Sequence, residues 1–267
     1  MEIQPFTIPD IPGIRRLQPK GWNDITLNFM EYCLQPICMP VKVIDQNTIV
    51  GLGTAILHER SAWLAHIIVD ESYRGRGIGN QIVTYLVDLA TKNGSLSINL
   101  IATDLGVPVY KKVGFTTVTC YQSLKRTGEW SDNFSGSHLK VAMPVHYKQI
   151  LALDQEITGE NRRKLIEGHL TRAVIFEKNK SVEGYYFSQL GQGPIYAATD
   201  SAGLALMGLK YSTVDTAVLP LDNTIGIDFL IKNGFERQDT TAIRMAYGEE
   251  IYWKPHHVFS RIGGNYG

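Results

Sequence analysis

Apolar positions along the chain follow two alternating rhythms, one of period two and one near 3.6, and the switches between them predict the elements. A strand is expected at 3–6. A helix follows over 10–17, with Asp10 placed to cap it, and a second over 24–34. Runs rich in β-branched residues at 41–44, 48–57 and 62–69, separated by turn residues, predict an antiparallel meander. The clearest helix is 78–92: Ile78, Ile82, Val83, Leu86, Leu89 and Ala90 keep helical spacing, and Asn93-Gly94 ends it. A strand at 96–102, a short helix at 107–113 and a strand at 115–121 complete a mixed α/β order around one sheet.

Residues 128–136 hold Ser, Asp, Asn and Gly with little apolar content. A linker is therefore expected over 128–143, dividing a domain 1–127 from a domain 144–267. In the second half a strand or strand–helix lead is expected at 148–153 and a helix at 159–170. Strands follow at 184–188 and 194–198, a helix at 200–209, a strand at 213–219, a helix at 225–233 and a strand at 240–246. The halves are related. Tyr110-Lys111-Lys112-Val113-Gly114-Phe115 and Leu230-Ile231-Lys232-Asn233-Gly234-Phe235 each end a helix on Gly and open a strand on Phe, at an offset of 234 − 114 = 120 residues. Duplication is the preferred reading of that match.

The length of 267 residues suits two domains of ~130 residues each. Lys plus Arg number 26 and Asp plus Glu 26, so no basic surplus exists to neutralise phosphates, and a general nucleic-acid binder is excluded. Three cysteines (Cys33, Cys38, Cys120) with no Cys-x-x-Cys pair make neither a disulfide framework nor a zinc site; idle thiols in a reducing compartment are expected. The first ten residues lack the pattern of a signal peptide, and no apolar run of 18 residues exists, so a cytoplasmic protein without membrane partners is expected. Asn133-Phe134-Ser135 fits a glycosylation triplet and is taken as chance; His256-His257 is read as a tail loop, not as a metal site.

The candidate chemistry lies where the strand ending at Val69 feeds Arg74-Gly75-Arg76-Gly77-Ile78-Gly79 and then the long helix. Glycines allow positive φ and close backbone approach, and the helix start offers unpaired N–H groups at the positive end of its dipole. Two arginines add fork-shaped donors, and the sum suits a pyrophosphate. A P-loop would need Gly-Lys-Ser/Thr, which Ile78-Gly79-Asn80 breaks. A dinucleotide fingerprint would need glycine at Asn80. The bland reading is a Gly-rich turn with solvated arginines.

Arg74-x-x-Gly77-x-Gly79 between strand and amphipathic helix resembles the acetyl-CoA loop of the GNAT acetyltransferases, and Tyr110-x-x-x-Gly114-Phe115 resembles that superfamily's later element. The resemblance covers roughly 3–126; Glu71 stands where the family often has Pro. The second half resembles, more sparsely, the carboxyl-terminal domain of tandem GNAT-like bacterial proteins of the YitH type. The residues concerned are Leu153-Asp154, Asn161-Arg162-Arg163, Gly193-Pro194, Gly234-Phe235 and Arg244-Met245. It lacks the Arg-x-x-Gly-x-Gly loop and carries Leu230 in place of Tyr110, so a degenerate copy is expected that shapes an acceptor pocket or a homodimer interface.

The resemblance implies two tandem GNAT-like α/β domains and an N-acetyltransferase that moves an acetyl group from acetyl-CoA to a primary amine, with no metal. A small-molecule amine is favoured over a protein. Arg74, Gly75, Arg76, Gly77, Ile78, Gly79 and Asn80 are expected to hold the cofactor's phosphates. Backbone N–H groups around Ile67 and Val69 would meet the thioester carbonyl, and Tyr110 would protonate the leaving thiolate. The residues leave Tyr110 open as a core tyrosine. They also leave the base open among His66, Asp70, Glu71 and a water chain, and the resemblance implies that Asp24 or Glu31 could anchor a cationic substrate. A protein N-acetyltransferase and a non-catalytic acyl-CoA sensor are the rival readings.

Overall fold

A computed structural model of the chain describes residues 1–131 and 136–267, with the side chains at 240 and 241 outside the description. The Asn133-Phe134-Ser135 triplet lies outside the described residues. The chain divides into two compact units. Unit 1 comprises 1–117, 245–250 and 264–266; unit 2 comprises 118–244, 251–263 and residue 267.

Unit 1 contains β1 (Glu2–Pro5), α1 (Ile11–Ile14), α2 (Ile25–Leu34), β2 (Cys38–Asp45), β3 (Thr48–His58), β4 (Ser61–Val69), α3 (Ile78–Lys92), β5 (Ser97–Ala102), α4 (Val107–Val113) and the start of β6 (Thr116–Arg126). Strands β1 to β4 pair antiparallel in chain order and β5 joins β4 in parallel. The expected α3 and α4 match the structure residue for residue. Asp10, expected as a helix cap, instead accepts from the Thr7 N–H (2.8 Å) and pairs with Lys42 (2.5 Å), while Asp24 does cap α2.

The apolar face of α3 closes on β3 because β3 offers glycines there. A Cβ on Gly51 would stand 2.9 Å from Ile82 Cδ1, and one on Gly53 would stand 2.7 Å from Ile82 Cγ2 and 2.8 Å from Leu86 Cδ1. Ile78, Ile82, Val83, Leu86 and Ala90 are buried on that helix, and Ala55 lies on the same face of β3 as the two glycines.

Unit 2 holds β7 (Leu139–Val141), α5 (Pro144–Thr158), α6 (Arg163–Ile166), β8 (Val174–Lys178), β9 (Ser181–Tyr186), β10 (Ile195–Ala197), α7 (Asp200–Tyr211), β11 (Thr216–Pro220), α8 (Thr224–Lys232), most of β12 (Phe235–Gly248) and β13 (Val258–Ser260). Its five-stranded sheet runs β13-β10-β9-β8-β7. The element order from β7 to β12 repeats that from β1 to β6: one strand, two helices, three strands, helix, strand, helix, strand. Gly114 after α4 and Gly234 after α8 share positive φ, as the Gly-Phe repeat implied.

Several second-half expectations are corrected. Residues 148–153 are not strand but the middle of α5, whose buried Ile150, Leu153 and Ile157 keep helical spacing only when the whole 15-residue run is considered. The helix expected at 159–170 shrinks to α6 and a 3-10 turn, because Gly159 takes φ 71° and a Cβ there would meet Ile251 at 2.2 Å. The stretch read as linker includes β7, and the His256-His257 tail leads into β13, whose Phe259 is fully buried. The motif pieces at 154 and 162 meet in the core: Arg162 grips Asp154 through both carboxylate oxygens and Tyr196 Oη at 3.1 Å, and Tyr185 donates to Asp154. Asp222 accepts from Thr119 (2.5 Å), and its neighbour Asn223 caps α8.

Because Ile82 Cγ2 sits close to the helix backbone, it cannot swing away from a new methyl group on β3. Gly53→Ala is therefore expected to destabilise unit 1 by about 1–3 kcal/mol through overpacking. Gly168→Ala, with nothing within 4 Å of the new atom, serves as the control. Denaturant unfolding of both variants measures the difference.

Candidate active site

Strand β4 breaks regularity where the sequence places its chemistry. Its pairing with β3 runs Thr54↔Ala65 and then Leu52↔Ile68, so His66 and Ile67 together oppose Gly53 in a β-bulge, and His66 takes φ +50°. Pairing with β5 ends at Leu64↔Leu100, although β4 continues to Val69 and β5 to Ala102. Past that point the β5 side of β4, including the stretch from Ile67 to Val69, has no ladder partner among the described residues, which leaves backbone groups available to a ligand.

After Val69 the chain enters a short turn. Asp70 caps it, accepting from Ser72 N (2.9 Å) and Ser72 Oγ (2.6 Å), and Arg16 pairs with the same carboxylate. The Ser72 hydroxyl bond, aided by Arg16, holds the Asp70 carboxyl below its ordinary range. Gly75 and Gly77 then adopt φ +78° and +81°, and a Cβ on either would meet nothing within 4 Å. Gly77 is the N-cap of α3 and no side chain bonds the first-turn amides there. Arg74 pairs with Glu71 at 3.4 Å; Arg76 donates to the Ser72 carbonyl (3.2 Å) and lies over the Tyr73 ring. Arg74, Gly75, Arg76, Gly77 and Asn80 are exposed. Ile78 turns its side chain into the core, which leaves only its backbone N–H for a ligand.

Helix α4 reaches this loop through Gly79: a Cβ there would lie 3.8 Å from both Val69 Cγ2 and Val109 Cγ1. Tyr110 follows Val109. Its ring is buried, packs edge-on to Phe115 and leaves no room for a Cβ on Gly106 (2.6 Å). Burial pushes its phenol up to about 12. The hydroxyl has no hydrogen-bond partner among the described residues.

His66 sits in an aromatic nest of Trp22, Phe29 and Tyr32, with ring centroids 5.7, 6.1 and 5.6 Å away. Tyr32 Oη accepts from Asn265 Nδ2 (3.0 Å) and shares a hydrogen bond with His66 Nδ1 (2.7 Å) whose direction follows the imidazole tautomer. A neutral ring with Nδ1 accepting carries its proton on Nε2, and one with Nδ1 donating keeps a lone pair there. Asp24 is committed to capping α2, and Glu31 is exposed on that helix. Neither Tyr32 nor Asn265 was singled out in the sequence, since 233 residues separate them and neither lies in a local motif.

Burial lowers the His66 imidazole to about 4. In the unfolded chain it protonates near 6.5, so between pH 6.5 and 4 the unfolded state holds more protons and stability falls as pH falls. Above pH 6.5 the residue makes no difference. Two to three pH units correspond to about 3 kcal/mol. His66→Asn, which tolerates positive φ, should remove that part of the acid sensitivity, as measured by denaturant unfolding at pH 4.5 and 7.5.

Among the described residues, no three His, Cys, Asp or Glu side chains group as a metal site, and no helix is long and apolar enough to cross a membrane. Residues 31–128 match the sequence model of the acetyltransferase (GNAT) domain. The chain is 30% identical over 81 residues to the uncharacterized N-acetyltransferase YobR of Bacillus subtilis, covering 29% of this chain and 33% of that protein. It is 28% identical over 87 residues to glucosamine 6-phosphate N-acetyltransferase of Trypanosoma brucei brucei, covering 32% of this chain and 56% of that one. The matches thus span about a third to a half of those relatives. A candidate acetyltransferase from Pyrococcus horikoshii has the same fold over 100% of this chain and 95% of its own, with a TM-score of 0.81 at 19% identity. The chain therefore shares the mixed α/β fold of that protein, and its residues 31–128 are similar to the GNAT acetyltransferase domain.

Proposed function

We propose that unit 1 is an acetyl-CoA-dependent N-acetyltransferase acting on the primary amine of a small molecule, and that unit 2 is a GNAT-like copy that binds no CoA. The observation that carries the reading is the uncapped start of α3 behind two left-handed glycines, directly where β4 parts from β5. Backbone N–H groups of Gly77, Ile78, Gly79 and Asn80 hold the pyrophosphate, with Arg74 and Arg76 as flanking cations. The free β5 side of β4 around Ile67 and Val69 receives the pantetheine arm and the thioester carbonyl; an oriented amide there is typically worth ~3 kcal/mol to the reaction. Acetyl-CoA supplies the activated acyl group. Tyr110, kept protonated by burial, gives its proton to the departing sulfur. A phenol is a weaker acid than a thiol, so the transfer accompanies departure rather than preceding it.

Unit 2 lacks the corresponding cradle. Its α7 begins at Thr199-Asp200, where Thr199 Oγ1 accepts from the Ala202 N–H (3.3 Å) and Asp200 adds negative charge to the first turn. An anion would meet a filled donor and a repelling carboxylate. The preference for a small amine rests on α2 and the turn before it: Trp22, Phe29 and Tyr32 crowd His66, and Asn265 of the carboxyl-terminal segment donates to Tyr32. Such a flank suits a compact acceptor better than a peptide.

Saturating acetyl-CoA at 100 times its dissociation constant should stabilise the protein by ~2.7 kcal/mol and raise its melting point by several degrees. Gly77→Asp, which puts a Cβ and a negative charge at φ +81°, should abolish the shift. Tyr110→Phe should keep the shift and lower kcat on a panel of small amines by about 10²–10⁴. A shift without turnover on any amine would favour a CoA-binding sensor, and turnover confined to peptide amines a protein acetyltransferase.

A further inference from the structure

The turn from Phe187 to Gly193 in unit 2 gathers three cations on neutral oxygens. Arg172 donates to Gln189 Oε1. Lys210 Nζ donates to the carbonyls of Gln192 (2.6 Å) and Gly193 (2.8 Å) and to Ser260 Oγ (2.6 Å). Arg261 Nε donates to Gln192 Oε1 (3.0 Å), and its guanidinium lies 5.2 Å from the centre of the Tyr121 ring. None of the three forms an ion pair among the described residues.

Two of these charges are deep. Lys210 is 4% exposed and Arg261 is 9% exposed. Arg261 Nη1 is buried with no hydrogen-bond partner. A buried cation normally meets a carboxylate, and Arg162 in the same unit does, with Asp154. Burial lowers Lys210 to about 7 and lowers Arg261 as well, with no carboxylate among the causes. The residue joining the two, Gln192, is itself exposed: its carbonyl accepts from Lys210 and its carboxamide oxygen from Arg261.

We propose that this turn is an oxyanion-binding site, in which a carboxylate or phosphate group of a small molecule displaces the Gln192 carboxamide and takes up the Arg261 guanidinium, with Lys210 as the second positive charge. The planar fork of arginine suits both anions, and two cations joined through one residue favour a full negative charge over a neutral amide. The site is separate in sequence and chemistry from the α3 loop and does not depend on the acetyltransferase reading.

The test is thermal unfolding of the full chain titrated with inorganic phosphate and with acetate, each at constant ionic strength set by sodium chloride. At least one anion should raise the melting point saturably, by about 5 °C at 100 times its dissociation constant. The rise should persist in Gly77→Asp and vanish in Arg261→Gln. The anion that acts identifies the group as phosphate or carboxylate. Gln192→Glu places a carboxylate 3.0 Å from Arg261 in the chain itself; it should raise the melting point by a few degrees without added anion and remove the response. That variant decides the matter if Arg261→Gln does not fold. No saturable response to either anion would overturn the proposal. So would a response that survives Arg261→Gln or disappears in Gly77→Asp, or a lower melting point in Gln192→Glu.

Discussion

Backbone pairing between β4 and β5 stops at Leu64 and Leu100, and the site proposed in unit 1 depends on that stop. Two parallel strands that kept pairing would use up every amide between them. Here β4 carries a bulge in which His66 and Ile67 together oppose Gly53. The same glycine allows Ile82 and Leu86 to come close, which brings α3 onto the sheet with its first turn beyond the end of β4. One residue without a Cβ thus seats the helix whose start follows the unpaired end of β4.

What the sequence made legible follows from how local the signal was. Helix α3 and its loop were read to the residue, because six apolar positions kept one period and Gly77 and Asn93 bounded them. The motif that singles out Tyr110 has glycine at a fixed distance after it, and Gly114 does take the left-handed conformation that the motif needs. The conformation of the Arg74–Gly79 loop was legible for the same reason, since only glycine accepts φ near +80° at two positions so close together. Other features had no local signature. The Asn265–Tyr32–His66 chain joins residues far apart, and each alone reads as an ordinary polar or aromatic position. Strand β13 has three residues, too few to set a period, and is held by pairing with β10 and by Phe259 filling the space that Gly203 leaves on α7. Helix α5 was missed because a window of six residues catches too little of a 3.6-residue repeat.

The two units carry one element order and opposite helix starts. Helix α3 opens on a glycine with no capping side chain; α7 opens on Thr199, whose hydroxyl bonds the first turn, with an acidic residue next to it. A cap of this kind contributes roughly 1 kcal/mol to its helix. The same amides cannot serve both a cap and a ligand. Unit 1 gives up the cap and keeps the donors exposed, and unit 2 takes the stability. A similar divergence separates Tyr110 from Leu230 at the matching helix position: Leu230 is wholly buried in the core of unit 2, where a hydroxyl would need a partner that the surrounding apolar side chains do not offer.

Buried charge in unit 2 follows two patterns. Arg162 is enclosed, yet Asp154, Tyr196 and Tyr185 complete a network in which the guanidinium meets its counter-charge, so the group acts as a rigid internal brace. Lys210 and Arg261 are nearly as deep, and carbonyl, hydroxyl and carboxamide oxygens are what they meet. Neutral oxygens satisfy hydrogen-bond geometry without cancelling charge, so neither group meets a carboxylate among the described residues. A fold that needed only a tied turn could place methionine or glutamine at 210 and 261 and avoid the cost of burying charge. Retained positive charge beside an exposed Gln192 is the arrangement expected where the missing negative charge arrives with a ligand.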